Sequence, residues 1–230
     1  SLSDLWSWIA EQGITLSFMP TPLAEAALQE PLPDGLVLKV LQIAGDRLHG
    51  GLTDKTVPFR VVNLYGPTEN TVVATGGDVD LLADGEPHIG KPIDNVQAYI
   101  LDTQQQPVPV GVAGELYIGG NSLARGYHNQ PVLTAEKFVD SPFSDNPTDR
   151  LYRTGDRVRY RADGNIEFLG RIDEQIQLRG FRIEPGEIVT ALRDLSGILQ
   201  AEVVLCQDMP GAEQLVAYVT GTGIDPAEIK

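Results

Sequence analysis

The sequence predicts an α/β protein built from an α/β layer, a mostly antiparallel β region and the start of a small α+β unit, and three changes of texture predict it. Up to about residue 76, helical and strand-like apolar runs alternate; from there to 170, short strand-like runs are separated by Gly, Pro, Asp and Asn clusters; from 171, strands and helices alternate again. The 230 residues, 42% hydrophobic and 21% charged, suffice for one large domain or two modest ones. The last change of texture divides them into domains over residues 1–170 and 171–230.

The first element is a helix over residues 4–12, capped by Ser3, with Leu5, Trp8 and Ile9 on one face and Gly13 as terminator. I-T-L-S-F at 14–18 reads as a strand. Thr21 and Pro22 form the cap and first-turn pair of a short helix, and L-K-V-L-Q-I-A at 38–44 has the continuous apolar character of a buried parallel strand. In the second region V-Q-A-Y-I-L-D, G-E-L-Y-I, R-V-R-Y-R and N-I-E-F-L are strands, the last two joined by a hairpin in which Asp163-Gly164 supplies positive-φ residues. Only a helix at T-A-E-K-F interrupts them. The third region holds a strand at Q-I-Q-L-R, a helix from near Pro185 to Leu195, strands A-E-V-V-L and Q-L-V-A-Y-V, and a helix opening at Asp225-Pro226.

A net charge of −15 argues against nucleic acid as a partner, because gripping a phosphate backbone is cationic work. The opening S-L-S-D-L-W-S-W lacks the pattern of a secretory signal, and no run approaches the roughly 18 apolar residues of a spanning helix, so no membrane association and a cytoplasmic location are expected. The single cysteine, Cys206, sits in V-V-L-C as an inert buried thiol. His49, His88 and His128 have neither metal spacing nor an adjacent nucleophile and read as surface or packing residues.

Chemistry concentrates in three stretches. N-L-Y-G-P-T-E at 63–69 follows the apolar strand F-R-V-V, placing a polar, aromatic, Gly-Pro-bent loop at a strand's carboxyl end, where open α/β sheets bind ligands. Asn63 offers amide hydrogen bonds for a base edge, Tyr65 a flat face, Thr68 a hydroxyl and Glu69 a hard oxygen suited to Mg²⁺. L-Y-R-T-G-D at 151–156 reads as a strand ending in Thr-Gly-Asp, whose carboxylate suits two vicinal hydroxyls such as those of ribose. G-R-I-D-E-Q-I-Q-L-R-G-F-R-I-E at 170–184 holds the third set. G-G-N-S-L-A-R-G-Y at 119–127 is glycine-rich but lacks the Lys-Ser/Thr of a phosphate loop and reads as structural.

These stretches, with G-E-L-Y-I-G-G and A-R-G-Y between them, resemble the adenylation domains of nonribosomal peptide synthetases in order and approximate spacing. The resemblance implies a partial adenylate-forming fold, the second region being a distorted antiparallel β-barrel subdomain, lacking that family's phosphate loop and its C-terminal catalytic lysine. It implies that Asn63 reads the adenine edge, that Tyr65 stacks on the base with Phe168 on the opposite face, that Asp156 takes the ribose hydroxyls and that Gly45 also lies against the nucleotide. Thr68, Glu69 and Arg171 become catalytic, Glu69 as the Mg²⁺ ligand. Asp173 falls on the hinge, and Gly180 and Arg182 on the pantetheine tunnel. The activity implied is ATP-dependent amino-acid adenylation followed by thioester loading, with ATP/AMP and Mg²⁺ as cofactors and a phosphopantetheine-bearing peptidyl carrier protein and neighbouring synthetase domains as partners.

The pocket positions implied are Phe18, Gln42, Ala44, Leu64, Val72 and Val73, which favour an apolar substrate side chain unless Gln42 binds a polar tip. Pro185 and Val189 stand where amino-acid-activating relatives usually carry Leu and Glu, and proline there resembles acyl-CoA ligases of the same superfamily. An acyl-CoA or aryl-acid ligase and a non-catalytic scaffold are the alternative readings; Glu69, Asp156 and Arg171 together speak against the scaffold.

Overall fold

The computed structural model describes residues 1–51, 56–83, 85–178, 180–206 and 213–222, in two compact units over 1–172 and 173–230. The helix expected to open at Asp225-Pro226 lies outside the described residues.

In the first unit, α1 (Leu2–Glu11) begins earlier than the sequence suggests, because Ser1 rather than Ser3 closes a capping box with Asp4. Its buried face carries Trp6 and Ile9, with Leu2 and Leu5 packed beside them; Trp8 is 53% exposed. Positions 2, 5, 6 and 9 follow the helical period, and Trp8 lies two residues from Trp6 and so on another face. Trp6 is fully buried, and its indole N–H donates to the Ala27 carbonyl at 2.7 Å, so the ring's polar edge is satisfied.

Strand β1 (Leu16–Pro20) starts two residues later than expected. Helix α2 (Thr21–Leu28) is preceded by Pro20, not capped by Thr21, whose hydroxyl instead donates to the Asp46 carbonyl at 3.0 Å. Strands β2 (Val40–Ala44) and β3 (Arg60–Tyr65) complete three parallel neighbours in the order β1-β2-β3, and β4 (Thr75–Asp78) and β5 (Lys91–Pro92) extend the sheet antiparallel. Alternation puts Met19, Leu41, Ile43 and Val61 on the face that packs against Trp6, Ile9, Ala24, Ala27 and Leu28. The opposite face carries Leu16, Phe18, Gln42 and Leu64.

The rest of the unit is a curled half-barrel: β6 (Val96–Leu101), β7 (Gly114–Gly120), β8 (Phe138–Asp140) after α3 (Pro131–Lys137), β9 (Arg150–Tyr160) and β10 (Ile166–Arg171), in the order β10-β9-β7-β6 with β8 on β9. Strand β7 is buried almost throughout because one face joins Ile100, Val158 and Ile166 and the other joins Leu101 and Leu151. In the three-residue loop that joins β9 to β10, Gly164 alone has positive φ, at 82°; Asp163 does not, and Gly164 N–H donates to the Arg161 carbonyl. Strand β9 also continues through Thr154-Gly155-Asp156 instead of ending there, with a bulge against β7 at this point and Gly155 at φ +75°.

The two sheets of this unit meet at Ile89-Gly90. The Ile89 N–H donates to the Ile166 carbonyl and the Ile166 N–H to the Gly90 carbonyl, both at 2.8 Å. Gly90 has φ +79°, and a Cβ there would lie 2.0 Å from the Gly76 carbonyl carbon. Glycine is therefore required both by conformation and by the approach of two backbones.

In the second unit β11 (Ile176–Leu178) turns at Gly180, φ +81°, into β12 (Phe181–Ile183), so the strand expected at Q-I-Q-L-R is one arm of a hairpin. Helix α4 (Pro185–Arg193) follows, then the antiparallel pair β13 (Ile198–Cys206) and β14 (Gln214–Gly221). Leu192, Ile188 and Val189 pack on Ile198, Ala201, Val203, Leu215 and Val219. Pro185 opens α4, where a missing N–H costs nothing, and Val189 fills this core; both departures thus have a packing reason. Cys206 closes β13 half-buried, not fully buried, because it pairs with Gln214 at the end of the ladder. Among the described residues no helix is long and apolar enough to cross a membrane.

Gly90→Ala is expected to destabilise the protein much more than Gly164→Ala in denaturant titrations. At Gly164, φ +82°, the nearest atoms to a new Cβ are the Lys91 side-chain end at 3.5 Å, so its cost is the left-handed penalty of about 1–2 kcal/mol. Equal losses would mean the two sheets do not depend on contact at Gly90.

Candidate functional site

Strands β1, β2 and β3 are parallel, so Gly45 after β2 and the segment from Tyr65 onward after β3 emerge at the same end of the sheet. Asn63 and Tyr65 belong to β3 itself, not to a loop; the turn begins at Gly66. A Cβ on Gly66 would lie 2.4 Å from the Val72 carbonyl oxygen, so glycine lets the chain fold back to place Ala74 N–H on the Tyr65 carbonyl at 2.8 Å. Within this fold-back, Thr68–Asn70 form one 3-10 turn, with Thr68 exposed and Glu69 only 7% exposed.

The Tyr65 hydroxyl donates to Asp156 Oδ2 on β9, and Arg171 Nη1 on β10 donates to Asp156 Oδ1 at 2.8 Å. Register explains the second pair, since Asp156 and Arg171 are cross-strand partners. Asp156 is 5% exposed, and a carboxylate so far from water needs such donors. Burial, and next the Asp156 carboxylate, push the Tyr65 phenol well above its ordinary pKa, so it stays a donor. Phe168, also on β10, and Tyr65 both pack against the cluster of Ile89, Ile100 and Ile166. Asn63 is buried, with Nδ2 donating to the His88 carbonyl at 2.9 Å. The His88 main chain thus supports the site, while its ring accepts from Gly90 N–H at 3.1 Å; burial depresses its pKa.

Glu69 accepts hydrogen bonds from well outside its own turn. Tyr127 and Tyr152 hydroxyls donate to Oε1 at 2.5 and 2.8 Å, and Ala124 N–H donates to the Glu69 carbonyl at 2.8 Å. Burial, then Glu69 and Tyr152, raise the pKa of the Tyr127 phenol far above the ordinary value. The glycine-rich 119–127 segment therefore reaches the site through its last residue, and its Ser122 also donates to Asn70 Oδ1 at 2.8 Å. Neither tyrosine stands out in the sequence. The A-R-G-Y and L-Y-R-T-G-D motifs contain them, but a phenol signals nothing until its partner is known.

Of the pocket positions, Phe18 and Gln42 are cross-strand partners on the sheet face opposite the helices, with Ala44 and Leu64 on the same face of β2 and β3. Val72 and Val73 follow the 3-10 turn. Val73 N–H donates to the Thr71 carbonyl at 3.0 Å with Val72 at φ 75°, a γ-turn centred on a β-branched residue, and Thr71 precedes it at φ 55°. Thr71 Oγ1 anchors the turn by donating to the Ser122 carbonyl at 2.7 Å.

In the second unit, the exposed Asp173 accepts from Gln175 N–H at 3.3 Å, Gly180 turns the β11–β12 hairpin, and Arg182 on β12 pairs with Gln177 on β11. Among the described residues no group of three His, Cys, Asp or Glu side chains converges to hold a metal. A single buried carboxylate on a turn fits Mg²⁺, which commonly takes one or two protein oxygens and fills its remaining positions with phosphate and water.

Residues 2–128 match the model of the AMP-binding enzyme family. The chain is 56% identical over 221 residues to one of the linear gramicidin synthase proteins of Brevibacillus parabrevis, covering 95% of itself and 4% of that relative. Among solved structures it is similar to holo-PA1221, an NRPS protein containing adenylation and PCP domains bound to a vinylsulfonamide inhibitor, with a TM-score of 0.85 and 31% identity over 100% of this chain and 41% of that one. It is also similar to a four-domain nonribosomal peptide synthetase bound to AMP and glycine, with a TM-score of 0.65 and 36% identity over 98% of this chain and 17% of that one. The chain thus spans less than half the length of each.

A strained backbone at Val72 makes a stability prediction. Val72 is 67% exposed, so Val72→Gly loses little burial while releasing positive-φ strain of about 1–3 kcal/mol, against a glycine entropy cost of about 0.5–1 kcal/mol. A higher denaturation midpoint is expected; a lower one would show that no strain is stored there.

Proposed function

This chain belongs to the AMP-binding enzyme family, and on that premise we propose that the protein activates an amino acid as its acyl-adenylate with ATP and passes it to the phosphopantetheine thiol of a peptidyl carrier protein. The observation that carries the reading is the junction of Tyr65, Asp156 and Arg171 at the carboxyl end of β3, four residues before a buried Glu69. An aromatic face, a carboxylate for vicinal hydroxyls, a guanidinium for phosphate and a hard oxygen for a cation are the groups a nucleoside triphosphate requires. The similar synthetase bound to AMP and glycine, and the similar protein containing adenylation and PCP domains, support both the nucleotide and the carrier partner.

In this reading the Tyr65 ring takes one face of the adenine and Phe168 the other. Asn63, whose Nδ2 is committed to His88, offers Oδ1 to the adenine amino group, and Gly45 lies against the nucleotide. Asp156 holds the ribose hydroxyls and Arg171 lies beside ribose or phosphate. The substrate carboxylate oxygen attacks the α-phosphorus in line; an acyl–O–P bond forms as the bond to the pyrophosphate oxygen breaks. Thr68 contacts the α-phosphate with its exposed hydroxyl, and Glu69 would hold Mg²⁺. When bound, that cation neutralises charge on the phosphates. Positioning and electrostatics carry the rate, with no covalent intermediate on the protein.

The substrate side chain lies over Phe18, Gln42, Ala44, Leu64, Val72 and Val73, and the mostly apolar set favours an apolar one. We assign residues 1–170 to the later part of the adenylation core and 171–230 to a hinge and small domain. Asp173 is the hinge that swings this domain between adenylating and thioester-forming poses, and Gly180 and Arg182 line the pantetheine tunnel. Pro185, which suggests a CoA ligase in the sequence, is accounted for by the start of α4.

Two variants of the full-length protein test both steps. Glu69→Gln is expected to lower amino-acid-dependent ATP–pyrophosphate exchange on the order of 100-fold, and normal exchange removes Glu69 from the mechanism. Asp173→Pro is expected to spare exchange and slow thioester loading; equal loss of both counts against a hinge.

A further inference from the structure

We infer that Tyr127 and Tyr152 are positioning residues for this reaction: their hydroxyls fix the Glu69 carboxylate in the orientation in which it takes the divalent cation. The inference rests on the reading of Glu69 as the metal ligand. Its support is the convergence of two phenols, from the segment after β7 and from β9, on one oxygen of one carboxylate. The distances are 2.5 and 2.8 Å to Oε1, and the two phenol oxygens lie 3.5 Å apart.

A carboxylate oxygen offers about two lone-pair directions. Two donors on Oε1 therefore set the plane of the whole carboxylate, which a single donor would leave free to rotate. The main chain is fixed as well, since Ala124 N–H holds the Glu69 carbonyl three residues before Tyr127. Carboxylates that ligate metals are regularly held by such outer hydrogen bonds, and loss of one typically lowers metal affinity about 10–100-fold.

Packing alone does not ask for the hydroxyls. The two rings sit against Phe138, with centroids 5.7 Å from it for Tyr127 and 5.2 Å for Tyr152, and phenylalanine preserves both contacts. Tyr152 is fully buried, and its hydroxyl has Glu69 and Tyr127 as neighbours 83 and 25 residues away in sequence. Role and packing are thus separable by removing one oxygen atom from each ring.

Tyr127→Phe, Tyr152→Phe, the double variant and Glu69→Gln are compared in the full-length protein. Binding of Mn²⁺ in the presence of ATP is followed by the electron paramagnetic resonance of the free ion, and ATP binding is measured separately in chelator. Each single Tyr variant is expected to weaken Mn²⁺ binding about 10-fold and the double variant more, with metal-free ATP binding unchanged. Raised Mg²⁺ restores pyrophosphate exchange in the Tyr variants but not in Glu69→Gln. Wild-type Mn²⁺ binding by the Tyr variants beside a defective Glu69→Gln overturns this inference alone. Wild-type binding by Glu69→Gln overturns the metal-ligand reading and this inference with it. Equal losses of Mn²⁺ and of metal-free ATP binding in the Tyr variants also overturn it, since the hydroxyls then act through the fold at large.

Discussion

Glu69 and Asp156 in the first unit are almost out of water, at 7% and 5% exposure, and the surrounding structure is organised by the need to satisfy them. A buried charge left without partners costs several kcal/mol, and removing one member of a buried pair typically costs about 3–5 kcal/mol. Each carboxylate therefore recruits donors from distant stretches: Tyr65 and Arg171 for Asp156, Tyr127 and Tyr152 for Glu69. Because Tyr65 ends β3 and Glu69 follows it while Tyr152 and Asp156 lie on β9, these bonds join the sheet to the half-barrel. Gly90 joins them a second time through the backbone.

The consequence for function is preorganisation. A site whose charged groups are already oriented does not reorganise when charge develops on a ligand. One strand contributes directly: Tyr152, Asp156 and Val158 all lie on β9, which so supplies the partner of Glu69, the carboxylate for Tyr65 and a core residue. The Thr71–Val72 turn adds a local cost at the proposed pocket wall, where a strained backbone is tolerated because the adjoining 119–127 segment is hydrogen-bonded along it.

Much of this is legible from residues 63–69, 151–156 and 170–184, because rare combinations of polar groups at strand ends are informative in a way that single residues are not. The α/β layer and the β9–β10 hairpin follow from periodicity and from Gly164. Trp8 is misplaced by the pattern because a helix with Trp6 and Trp8 on one turn has two possible apolar faces, and only packing on Ala27 selects Trp6. The β11–β12 hairpin is hidden because Q-I-Q-L-R-G-F-R-I has β character on both sides of a single glycine. Tyr127 and Tyr152 are invisible as site residues since the role proposed for them depends on a partner 58 and 83 residues away. No local pattern encodes such a pairing.

The most direct test of the account is a crystal structure of the full-length protein with ATP and Mg²⁺. The account predicts the adenine against the Tyr65 ring, the ribose hydroxyls within hydrogen-bond reach of Asp156 and the cation on Glu69. A nucleotide bound elsewhere, with all three side chains out of its reach, would contradict it.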